Sequence, residues 1–136
     1  MKHLLILLSA AIGLLSFTAL PVMAKDVKAP TVAERQTSAT KALAKADTAA
    51  IYAKGLCCPS CAIGVRKYLS KLPFVDRKQA KSGVELDAKA QLAIIRLKPG
   101  AIVDNAAVSK AIRKAGYDPV EIYQNRDGNV VRDYLK

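Results

Sequence analysis

Three cysteines, Cys57, Cys58 and Cys61, fall in the run Gly-Leu-Cys-Cys-Pro-Ser-Cys at 55–61, and they are the only cysteines among 136 residues. Cys58 and Cys61 form a CxxC pair. Where a helix begins at such a pair, two sulfurs about one turn apart can close on a single ion, and the amides and dipole of the helix start favour thiolate over thiol. The same spacing serves redox enzymes, zinc sites and plain disulfides, so spacing alone leaves these open. Cys57 should point away from Cys58 and is open to three roles: an additional metal or redox ligand, a point of intermolecular pairing, or a small buried residue.

The residues that are missing narrow the chemistry. The chain has no Trp, its single His is His3, and its two methionines are Met1 and Met23. Beyond residue 24 there is therefore neither His nor Met. Most general-base and nucleophile-activating arrangements are then absent, although carboxylates, Lys and Tyr remain, and an enzyme is not expected. A closed zinc site takes four Cys or His ligands, more than this segment offers, so zinc is the less expected ion. A soft ion of low coordination number needs only two thiolates, which favours Cu(I) or Hg(II). A permanent Cys58–Cys61 disulfide is the plain alternative in an oxidising compartment, but it would close a very small loop and constrain little of the unfolded chain.

Residues 1–24 read as an export signal: Lys2 near the start, an uncharged apolar stretch over 4–20, then Pro21, Val22, Met23 and Ala24 before the expected cleavage. This places the protein in the periplasm. An uncleaved membrane anchor is the alternative. The formal net charge of +11 would ordinarily suggest nucleic acid, but export argues against it. A solvated basic surface is then expected, with an anionic membrane surface or an acidic partner as the other readings. A monomer is expected.

Residues 25–48 are rich in Ala, Lys and Thr, and predict a flexible linker with nascent helix from about Thr31. The compact domain is expected over 49–124. Ala49, Ile51 and Ala53 alternate with Tyr52 and Lys54, the pattern of a half-buried strand leading into Gly55. From Cys61 the apolar spacing becomes helical, with Val65, Leu69 and Leu72 on one face, until Pro73 stops it. Two alternating runs at 84–88 and 93–97 predict a hairpin turning at 89–91. Asp104 is a fair N-cap for a second helix that ends at Gly116, and residues 119–123 predict a last strand. The order strand, helix, strand, strand, helix, strand predicts an α+β, ferredoxin-like sandwich: two helices on a four-stranded antiparallel sheet. Residues 125–136 form a C-terminal extension, with a turn at 127–129 and Val130 and Val131 available for a further strand.

The run at 55–61 resembles the Gly-Met-x-Cys-x-x-Cys signature of the heavy-metal-associated (HMA) domain. Ile63, Val65, Lys67, Leu69 and Ser70 resemble its first helix, and Lys114, Ala115, Gly116 and Tyr117 the Ala-Gly-aromatic segment before its last strand. With the export signal, the chain is most similar to the periplasmic mercury-binding and secreted copper-carrier branches of that family. The resemblance implies that Cys58 and Cys61 bind the ion and pass it by thiolate exchange to an inner-membrane transporter or another carrier. It also implies a supporting role for Tyr117 beside the metal loop, where capping the core is the other reading. Leu56 stands where the family has Met and should pack beneath the loop, Cys57 stands where it has Thr or Ser, and the loop at 73–83 is longer and more basic. From a different class of function, a thiol-disulfide oxidoreductase using the same CxxC remains the alternative.

Overall fold

A computed structural model of the chain describes residues 28–136. The expected signal at 1–24 lies outside the described residues. The first helix, α1, spans Val32–Leu43 and is started by a capping box: Thr31 Oγ1 accepts from Glu34 N, and the Glu34 carboxylate accepts from Thr31 N at 2.7 Å. Arg35, Ala39 and Leu43, four residues apart, form its buried face. Residues 32–43, expected within a flexible linker, are thus a packed element. The composition argument failed because one small apolar stripe suffices when a sheet face awaits it.

Strand β1, Thr48–Lys54, is central in a sheet of order β2-β3-β1-β4-β5, in which every pairing is antiparallel. The other strands are β2 (Val84–Asp87), β3 (Leu92–Arg96), β4 (Asp118–Arg126) and β5 (Asn129–Tyr134). Helices α2 (Cys61–Leu69) and α3 (Asn105–Lys114) are the crossovers. The order from β1 to β4 is compatible with a ferredoxin-like arrangement. What departs from expectation is the number of elements: among the described residues there are three α-helices and five strands. The extension at 125–136 is built into the sheet: β4 runs on to Arg126, and the turn at Asp127 and Gly128 leads into β5.

Nor is β1 half-buried. Its first six residues are buried, because odd positions and even positions face different helices. Ala49, Ile51 and Ala53 join Val65, Leu69, Val108 and Ile112 under α2 and α3. Ala50 and Tyr52 join Ala39, Leu43, Leu92 and Tyr123 under α1. The alternation at 49–54 suggested one wet face, and α1 dries it.

Helix α3 starts as its sequence predicts, with the Asp104 carboxylate accepting from Ala106 N and Ala107 N. It ends at Gly116, whose φ of +90° suits the residue without a Cβ, as Tyr117 N returns to Ile112 O. In the basic loop, Asp76 accepts from Lys78 N and from Gln79 Nε2, which holds its carboxyl below the ordinary value of 3.8. Among the described residues, no helix is long and apolar enough to cross a membrane.

Candidate metal centre

The cysteines occupy the passage from β1 to α2, and three features of the chain shape it. A register shift in the β1–β4 pairing between Tyr52 and Ala53 re-aims the end of β1. Gly55 takes a φ of +90°, a conformation costly to other residues. Leu56 is then fully buried, its amide bonded to Ala53 O, so it pins the loop from below.

Cys57 follows in a tight turn, its amide donating to Gly55 O at 2.8 Å. That turn breaks the alternation on which Cys57 was expected to point away from Cys58. The three sulfurs instead lie within 4.8 Å of one another. Cys57 and Cys58 are half-buried, while Cys61 is only 9% exposed. Cys58 and Cys61 are joined as a disulfide, their Cα atoms 5.4 Å apart, and Cys57 is the free thiol. A site with free thiolates at Cys58 and Cys61 is therefore the reduced form of this loop.

Helix α2 begins at Cys61 with Val65 and Leu69 completing its buried face, which is why the second sulfur is held while the first is not. The amides of Cys61, Ala62 and Ile63 bond to the carbonyls of Cys58, Pro59 and Ser60. They are spent within the turn and do not face the sulfurs, so of the two thiolate-favouring effects expected at the helix start only the dipole remains. Ser60 supplies no side-chain cap; its hydroxyl lies 3.1 Å from Cys58 Sγ. Cys61 Sγ lies 3.8 Å from Gly55 O.

Two residues support the loop from a distance. The Tyr117 ring lies over Gly55, close enough that a Cβ there would sit 3.5 Å from the ring, and it also packs against the core. The ring therefore stands between the cysteine loop and the core. Gln91 gives no sequence signal beyond its place in the hairpin turn, yet its buried side chain accepts from Gly55 N at 3.2 Å and its carbonyl from Ala53 N. A residue 36 positions from Gly55 thereby fixes the loop's entry.

Outside this loop, Arg35, Glu121 and Tyr123 form a buried polar group beneath α1. Arg35 donates to both carboxylate oxygens of Glu121 at 3.3 Å, and Tyr123 OH donates to Glu121 at 2.6 Å. The guanidinium also lies 4.1 Å from the centre of the Tyr52 ring. Cavities of about 400 and 510 Å³ open at the other end of β1, both lined by Lys45, Ala46, Asp47 and Leu97. They are remote from the cysteines. Comparison with protein-family models, curated proteins and solved structures returns no match.

Proposed function

We propose that the protein is a periplasmic, heavy-metal-associated type carrier that takes up a soft ion, Hg(II) or Cu(I), on Cys58 and Cys61 and passes it to an inner-membrane transporter or another carrier. It is not an enzyme in this reading. The observation that supports it most is the convergence of sulfurs on a half-exposed loop at the start of a helix, in a chain without His or Met beyond residue 24. Sulfur is then the only soft donor to hand, and soft donors select such ions. The order of β1, α2, β2, β3, α3 and β4 is compatible with a ferredoxin-like sandwich, with α1 and β5 added to it.

Transfer follows from the unequal burial of the two sulfurs. Cys58 sits beside exposed Pro59 and Ser60 and is open to an incoming thiolate, whereas Cys61 is held by α2. A partner sulfur bonds the ion as Cys58 releases it, and Cys61 releases last. Ile63, 69% exposed in the turn after Cys61, offers that partner an apolar contact next to the exchange.

Titration of the reduced full chain with Hg(II) and Cu(I) tests the proposal: tight 1:1 uptake is expected, and Cys58→Ser with Cys61→Ser should abolish it. Unchanged affinity in that double variant would sink the idea. The Cys58–Cys61 disulfide favours the thiol-disulfide oxidoreductase as second reading. Catalytic turnover in an insulin-reduction assay would support it over stoichiometric metal uptake.

A further inference from the structure

We propose that Cys57 is a third ligand, so that the reduced loop is a three-sulfur site whose cargo extends to ions that require three thiolates, the trivalent arsenite class foremost. The inference rests on the soft-ion reading of Cys58 and Cys61 and adds to it a coordination number and a cargo class.

The geometry carries it. With a metal–sulfur bond of about 2.3 Å, three ligands spread evenly around an ion stand about 4 Å apart. Cys57, Cys58 and Cys61 already lie within 4.8 Å of one another. Cys57 is brought there by backbone, through the turn in which its amide bonds Gly55 O, and that turn is held in place by buried Leu56 and by Gln91 on Gly55 N. The third sulfur is therefore positioned by the same contacts that position the first two. Once an external dithiol has reduced the disulfide, itself becoming oxidised to a disulfide, Cys58 and Cys61 have only to part to ligand spacing, which their Cα separation of 5.4 Å allows. Pro59 and Ser60 are exposed beside the sulfurs, and a pyramidal ion with its lone pair toward solvent suits that exposure.

Charge points the same way. Three thiolates leave Cu(I) with two negative charges, Hg(II) with one and As(III) with none. Lys54, at the end of β1, is paired with Asp118 of β4 at 3.9 Å. A half-buried site favours the neutral assembly. Loading is balanced without any redox step: As(OH)₃ exchanges three hydroxides for the three sulfurs, each thiol gives up its proton, and three waters leave.

The test uses the reduced full chain and its Cys57→Ser variant, loaded separately with As(III) and Hg(II), read by X-ray absorption for sulfur neighbours and by alkylation for protected thiols. Three sulfurs and three protected thiols are expected in the unsubstituted chain with either ion. Cys57→Ser should fall to two sulfurs with Hg(II) and lose As(III) affinity by about tenfold or more, while an unchanged circular dichroism spectrum and urea midpoint show that the variant is folded. Two sulfurs around Hg(II) in the unsubstituted chain, with As(III) binding equal in both proteins, would overturn the third ligand and leave the two-cysteine reading standing. Failure of the unsubstituted chain to bind either ion would overturn both.

Discussion

The two faces of the sheet are held by different forces. Under α2 and α3 the core is apolar, with Ile51, Val65, Leu69, Ile95, Val108 and Ile112 all at most 1% exposed. Under α1 the apolar contact is thinner, Ala39 and Leu43 on Ala50, Tyr52, Leu92 and Tyr123, and the helix is keyed to the sheet by Arg35 on Glu121. Non-directional packing holds the face that carries the cysteines, whereas a specific ionic contact decides where α1 sits. The difference teaches that the site and its N-terminal cover answer to separate perturbations.

Breaking the apolar face should have the largest effect. Leu69→Ala opens a void directly beneath α2 and is expected to cost about 3–4 kcal/mol in urea unfolding and to weaken ion capture with it. On the other face, Arg35→Met removes one partner of a buried pair and leaves Glu121 with the Tyr123 hydroxyl at 2.6 Å and, as its remaining cation, Arg132 at 3.9 Å. A loss of roughly 3 kcal/mol is expected, with amide exchange of α1 accelerated and ion affinity of the reduced protein unchanged. Loss of ion affinity in this variant would show that the two faces are coupled.

Gln91→Ala sharpens the comparison at the loop. It leaves Gly55 N without its partner and should cost about 1 kcal/mol, with faster exchange at Gly55 and little change at α1. The smallest effect is alkaline. Burial, and then the hydrogen bond to Glu121, push the Tyr123 phenol above its ordinary value of 10.0. Below that pH the phenol is neutral in both folded and unfolded chains, and its contribution is fully present. As pH rises the unfolded chain ionises first, so stability is lost through the folded value, and the loss should be confined to α1 in hydrogen exchange. Tyr123→Phe is expected to flatten that slope, and an unchanged slope would remove Tyr123 from the account.

Much of the sheet was legible because periodicity is local: the hairpin at 84–97, the Asp104 cap and the glycine stop at Gly116 each declare themselves within a few residues. The capping box of Thr31 and Glu34 was equally legible. The expected linker rests instead on the polar composition of 25–48, which says how much surface a segment can bury but not whether a neighbour is waiting for it. Gln91 and Glu121 were not legible, since their partners Gly55 and Arg35 lie 36 and 86 positions away.

By itself the sequence determined where β1 gives way to α2, that Cys58 and Cys61 sit one turn apart at that junction, and that sulfur is the soft donor available beyond residue 24. These are matters of residue type and spacing. Only the tertiary structure decided that α1 covers the second face of the sheet and that Cys57 stands with the other two sulfurs. Both depend on how distant segments meet, the first on a buried ion pair, the second on a turn held by Leu56, Gln91 and Tyr117, and no run of neighbouring residues records such meetings.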